Sequence, residues 1–147
     1  MLEPPKKREE RILSPDMLHQ ILFTGLYSLL VCVIFLRFEL FKALFRVSAG
    51  DAVFMTAFYA LFIFMGIFNC FNARSERLSL LSNIEKNPAF LIIMCLIVCV
   101  QLVMIYFGGE LFRSVPLSVR EILNVVLIAA SVIPFDALRR VFKKLTR

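Results

Sequence analysis

The sequence predicts an all-α integral membrane protein, a four-helix bundle with both termini in the cytoplasm. Three observations lead there. The chain is 60% hydrophobic with mean hydropathy +0.82, whereas a soluble domain carries about 45–50% apolar residues. The excess falls into four segments of about 20 residues, the length that crosses a hydrocarbon core about 30 Å thick. The basic residues flank these segments unevenly. Four spans put both termini and the central link on one side, which carries 12 of the 17 Lys and Arg; the other side carries Arg37, Lys42, Arg46, Arg113 and Arg120. By the positive-inside rule the termini are cytoplasmic. The net charge of +6 then reflects topology, and nucleic acid is not an expected partner.

Residues 1–16 form a polar cytoplasmic lead-in with Pro4, Pro5 and a charge run from Lys6 to Arg11, and no cleavable signal peptide is read there. Ser14-Pro15-Asp16 has the form of a helix start, with Ser14 as cap and Pro15 at the first helical position. The first span covers about residues 17–36, with His19 and Gln20 near its interface. Arg37, Glu39, Lys42 and Arg46 then alternate with Phe38, Leu40, Phe41, Leu44 and Phe45, a pattern that suits a short amphipathic turn on the membrane surface. Ser48 or Asp51 is expected to cap the next helix.

The second span, residues 52–71, carries Phe54, Phe58, Phe62, Phe64, Phe68 and Phe71 and becomes polar at Asn69, Asn72 and Arg74. Asn69 and Asn72 share a helix face, where amides bond to neighbouring helices. The link to Asn87 alternates charges with Leu78, Leu80, Leu81 and Ile84, so a short surface helix is expected in it. Asn87 caps and Pro88 opens the third span, residues 88–107, whose one strongly polar side chain is Gln101. Gly108-Gly109 ends it. Ser118-Val119-Arg120-Glu121 fits a capping box at the head of the fourth span, residues 119–138, where Pro134 predicts a kink or local unwinding. Residues 139–147 form a basic cytoplasmic tail.

Little in this pattern points to independent chemistry. Cys32, Cys70, Cys95 and Cys99 lie inside apolar segments and are read as small buried hydrophobes. His19 is the only histidine, and a metal site needs several ligands. No nucleophile–base pair and no phosphate-binding glycine loop is present. Asp136, three and four residues before Arg139 and Arg140, is expected to form a helix-end contact on the cytoplasmic side.

The central stretch carries a resemblance. Asn69-x-x-Asn72 closing a span, Ala73-Arg74-Ser75-Glu76, a leucine-containing link and Asn87-Pro88 opening the next span resemble the C-terminal membrane domain of type II P-type cation-transporting ATPases, the calcium pumps above all. Pro4-Pro5 through Ser14, Gln101, Phe107-Gly108-Gly109, and Pro134-Phe135-Asp136 with Arg139-Arg140 agree in the same order. The resemblance implies that the spans are helices seven to ten of such a pump. It implies a module that scaffolds the ion-transport helices in the plasma membrane and has no catalysis of its own. Its partners would be the lipid bilayer and the remaining helices and cytoplasmic domains of the pump. The Asp-Lys-Thr-Gly phosphorylation motif is absent, so ATP and Mg2+ would act only through domains outside this chain, as expected of a fragment, a split-gene product or a truncated copy. Gly66 stands where related pumps carry a cation-binding carboxylate, so no metal ligand is expected here. Asn69, Asn72 and Gln101 are the candidates for helix–helix or pathway-lining contacts. The alternative is a stand-alone four-span protein, a small carrier or a regulatory or assembly subunit. The absence of an ionisable residue at mid-span weighs against the carrier.

Overall fold

The computed structural model of the protein describes residues 15–45, 50–74 and 88–145. All regular structure among them is helical. The helices are α1 (Pro15–Arg37), α2 (Glu39–Lys42), α3 (Asp51–Arg74), α4 (Pro88–Phe107), α5 (Gly109–Phe112), α6 (Val119–Ala130) and α7 (Val132–Leu145). Four are long and apolar enough to cross a membrane by length and composition: α1, α3, α4 and the continuous pair α6–α7.

The helix boundaries follow local chemistry. Pro15 and Pro88 open α1 and α4, since a missing N–H costs nothing in a first turn and the ring presets φ. Asp51 is the first residue of α3 rather than its cap, so its carboxylate complements the positive end of the helix dipole. The preceding Gly50 has φ +73°, a left-handed conformation that glycine adopts without steric cost. Ser14, Ser48, Asn87 and the central link lie outside the described residues. The amphipathic turn after α1 includes the single-turn helix α2, from which Phe41 and Phe45 pack on Phe35.

The capping box is present: Glu121 N–H donates to Ser118 Oγ (3.3 Å), and Ser118 N–H donates to Glu121 Oε2 (2.7 Å). Gly108 ends α4, and Gly109 already begins α5. A Cβ on Gly108 would overlap the Met104 carbonyl oxygen and crowd Ser114 Oγ, so this turn requires glycine.

Of the kink or local unwinding expected at Pro134, the structure shows a local interruption of the helix. Helix α6 stops at Ala130 and α7 begins at Val132. Pro134 has no N–H for the Ala130 carbonyl, and its ring pushes that carbonyl away. The fourth span is therefore two helical pieces, and α7 runs on beyond residue 138 to Leu145.

Helix α3 is the hub. It packs on α1, α4, α6 and α7, most extensively on α6. Half of its apolar window is buried, compared with 17% for α1 and for α4. Val53, Ala57, Ala60, Leu61 and Met65 are inaccessible along it. The small Ala57 and Ala60 lie on this buried face, opposite no bulk of their own, and small residues let helix backbones approach closely. At one end Phe35 is completely buried and stacks on Phe54 with ring centroids 4.9 Å apart. The same end is sealed by hydrogen bonds: Val115 N–H donates to Thr56 Oγ1 (3.1 Å), and the Tyr106 hydroxyl donates to the Leu117 carbonyl (3.0 Å). These loop groups are part-buried, where an unpaired polar group is costly.

The cysteines depart from expectation. All four are free, but only Cys32 is buried; Cys70, Cys95 and Cys99 are exposed. Three thiols lie on the outer surface of spans, where a weakly polar sulfur costs little in apolar surroundings.

Replacing Ser118 with Ala should cost about 1 kcal/mol, the usual worth of an N-cap, while Ser118→Asp should retain most of it; denaturant titration in mixed micelles reads the difference. Pro134→Ala should return a donor to the Ala130 carbonyl. Hydrogen exchange across residues 130–135 is then expected to slow in the variant.

A polar clasp as the candidate functional site

The ends of α1, α3 and α7 meet at Asn72, which is 1% exposed. Its position at the last turn of α3 leaves its carbonyl without an intrahelical partner. That oxygen accepts from Gln20 Nε2 of α1 at 3.2 Å and from Arg140 Nη2 of α7. The Asn72 side chain completes the triangle: Nδ2 donates to the Val132 carbonyl at 3.2 Å, just after the break at Ser131. One residue thus links three spans through both its backbone and its side chain.

Asp136 sets the geometry of this contact. It is 1% exposed, and its two oxygens accept from two guanidinium groups, Oδ1 from Arg139 Nε and Oδ2 from Arg140 Nε, each at 2.8 Å. Arg140 Nη2 is also 2.6 Å from Oδ2, so it bridges Asp136 and the Asn72 carbonyl. Asp136 holds the Arg140 guanidinium against the C-terminal end of α3. The unmatched carbonyls there carry partial negative charge, which a cation offsets. The helix-end pairing of Asp136 with Arg139 and Arg140 that the spacing predicts is therefore present, with the added reach of Arg140 across to α3.

A second layer lies one turn deeper. Asn69 Nδ2 donates to Ser28 Oγ (3.0 Å), and Ser28 Oγ donates back to the Thr24 carbonyl (2.9 Å). Thr24 Oγ1 donates to the Gln20 carbonyl at 2.8 Å. The Tyr27 hydroxyl donates to Ser131 Oγ (3.0 Å) at the α6–α7 break, while its ring stacks on Phe135 at 3.8 Å. Asn69 Oδ1 is buried without a hydrogen-bond partner.

Sequence reasoning singled out Asn69, Asn72, Asp136, Arg139 and Arg140, and the fold brings them to one end of the bundle. It missed the α1 contributors. Gln20, Thr24, Tyr27 and Ser28 recur at i, i+4, i+7 and i+8, one helix face; that spacing was legible as a polar stripe. Gln101 lies elsewhere, buried in α4. Gly66 faces outward from α3, with nothing within 4 Å of a Cβ built on it. His19 is exposed. Among the described residues no group of three or more His, Cys, Asp or Glu could hold a metal ion. The clasp consists of amides, hydroxyls and one carboxylate neutralised by arginine, which suits it to joining helices.

Four apolar spans arranged on α3 and tied by buried polar contacts define a multi-pass integral membrane protein. Within that class the chain belongs to a known family: the model of the cation transporting ATPase C-terminus matches residues 1–142. Among curated relatives, it is 31% identical over 121 residues to the probable calcium-transporting ATPase 6, plasma membrane-type, of Oryza sativa subsp. japonica, covering 80% of this chain and 12% of that protein. It is 26% identical over 147 residues to calcium-transporting ATPase 1 of Saccharomyces cerevisiae, covering 98% of this chain and 15% of the relative. It is 28% identical over 132 residues to human plasma membrane calcium-transporting ATPase 3, covering 82% and 11%. The chain thus spans only a small part of the length of these relatives. No solved structure gives a significant match.

Removing one partner of a buried ion pair is costly because the other charge stays behind. Asp136→Asn should therefore destabilise the bundle by about 3 kcal/mol, seen as a lower thermal transition in detergent. Asn72→Leu removes one interhelical side-chain bond and should cost about 1 kcal/mol in the same assay.

Proposed function

We propose that this chain is the C-terminal membrane module of a calcium-transporting P-type ATPase. Its four spans correspond to helices seven to ten, and it scaffolds the ion-transport helices without catalysis of its own. The observation that carries this reading is the family match across residues 1–142, joined to calcium-transporting ATPases as the matched relatives. The geometry supports a scaffold: Gln20, Tyr27, Asn69, Asn72 and Arg140 join helices to each other, and α3 is braced from several sides. ATP and Mg2+ act through the rest of the pump, which is the partner this module requires together with the bilayer. The module resides in the plasma membrane with both termini and the central link in the cytoplasm, in keeping with the 12:5 division of its 17 Lys and Arg. Gly66 supplies no cation ligand, so the pump moves fewer ions per cycle than relatives with a carboxylate at this position. The stand-alone carrier is less favoured, because proton-coupled carriers place an ionisable group within the membrane, and Asp136 is paired at the end of the bundle.

The test is to purify the chain, or the polypeptide that contains it, from native membranes under mild detergent. Brief exposure to radiolabelled ATP with and without Ca2+ follows. A calcium-dependent, acid-stable, hydroxylamine-labile phosphoprotein in the preparation is the expected result. Its absence, with the chain intact and monodisperse, would overturn the pump reading.

A further inference from the structure

The deeper layer of the clasp is one donor short. Asn69 Oδ1 is buried and has no hydrogen-bond partner among the described residues. The hydroxyls near it on α1 are committed. Ser28 Oγ accepts from Asn69 Nδ2 and gives its one proton to the Thr24 carbonyl, 2.9 Å away. Thr24 Oγ1 donates to the Gln20 carbonyl, and the Tyr27 hydroxyl donates to Ser131 Oγ. A serine hydroxyl both accepts and donates, so Ser131, having accepted from Tyr27, still has a proton to give. No acceptor for it is found among the described residues. Next to it, the Ala130 carbonyl lacks its helical donor, because Pro134 has no N–H.

These three groups meet at one level, between α1, α3 and the break in the fourth span. Helix α3 and the fourth span run parallel, since Thr56 meets Val115 at one end and Asn72 meets Val132 at the other. Asn69 lies three residues before Asn72, about 4.5 Å along the axis at about 1.5 Å per residue. Ala130 and Ser131 lie two residues and one residue before Val132, about 3 Å and about 1.5 Å on the same scale. The depths agree to within one turn. Across the bundle, α1 joins the two sides: Ser28 touches Asn69, and its chain neighbour Tyr27 touches Ser131. The layer is thus left with one spare donor, the Ser131 hydroxyl, and two spare acceptors, Asn69 Oδ1 and the Ala130 carbonyl.

We propose that one water molecule is bound among them, accepting from the Ser131 hydroxyl and donating to Asn69 Oδ1 and to the Ala130 carbonyl. The set calls for two donors and one acceptor on a single small group, which is what water offers. The result is about three hydrogen bonds, the usual number for a buried water, and it pairs the one orphaned oxygen of the layer. Such a water is enclosed as the bundle forms and is held apart from bulk solvent. It ties the break in the fourth span to α3 one turn deeper than Asn72 does. The proline that interrupts the helix supplies one side of the site by freeing a carbonyl. The inference stands on the clasp alone, so its failure leaves the pump reading untouched.

X-ray radiolytic footprinting tests it on the chain, or the polypeptide that contains it, in native membranes. Irradiation makes hydroxyl radicals from a bound water in place, so side chains beside that water are oxidised although bulk solvent does not reach them. Tyr27 and Phe135, stacked on each other at the Ser131 hydroxyl, are the reporters. Met65, 1% exposed and easily oxidised, is the dry control. Expected are oxidised Tyr27 and Phe135 beside an intact Met65. In Asn69→Leu, which removes the acceptor, and in Pro134→Ala, which returns a helical donor to the Ala130 carbonyl, oxidation of the two rings should fall to the Met65 level. Rings no more oxidised than Met65 in the unmutated protein, or oxidation unchanged in both variants, would overturn the proposal. A density map of the unmutated protein reads the site without any substitution. Ordered water within hydrogen-bond distance of Asn69 Oδ1 is expected, and a map that shows ordered water elsewhere in the bundle but none at Asn69 also overturns it.

Discussion

The carbonyl oxygen of Asn72 is where the bundle is held. As one of the last carbonyls of α3, it has no donor within its own helix, and no water reaches a buried position beside hydrocarbon. Gln20 and Arg140 supply donors from two other spans. The arrangement of α1, α3 and α7 follows from satisfying that one atom, and the side chain of the same residue fixes α7 a second time through Val132. Because a backbone acceptor cannot be mutated away, the constraint is insensitive to the identity of most surrounding residues.

The break at Ser131 belongs to the same system. Without it, α6 and α7 would be one straight helix. Pro134 frees the α6 end, and the segment after the break presents the Val132 carbonyl to Asn72 and the Ser131 hydroxyl to Tyr27. The proline that disrupts one ladder of hydrogen bonds thus coincides with the groups that build the contact between spans. Asp136 then draws Arg139 and Arg140 back along α7, and Arg140 extends from that ion pair to α3. A carboxylate buried to 1% exposure is tolerable here because both oxygens are matched by guanidinium donors.

The opposite end is organised by packing. Phe35 sits among Phe41, Phe45, Phe54 and Phe58, and Thr56 ties the loop before α6 to α3. The two ends thus use different physics to hold the same hub: ion pairs and amides where the chain termini lie, aromatic stacking and capped turns at the other. Both leave α3 the most buried of the four spans.

Much of this was written in the sequence. Span number follows from runs of about 20 apolar residues, the α4 limits from Pro88 and Gly108, the α6 start from the Ser118–Glu121 box, and the fourth-span break from Pro134. Each depends on backbone chemistry local to a few residues. The i, i+3 and i, i+4 spacings of Asp136, Arg139 and Arg140 likewise dictated their pairing. Only the tertiary structure decided which helix became the hub, that Gln20 and Arg140 converge on one carbonyl, and that Cys70, Cys95 and Cys99 face outward. A hydropathy run has no preferred neighbour, because lipid and a packed helix are equally apolar surroundings. The neighbour is chosen by close packing of small residues such as Ala57 and Ala60 and by the few polar atoms that need partners. Those partners lie 41 to 104 residues away in the chain, beyond the reach of any local pattern.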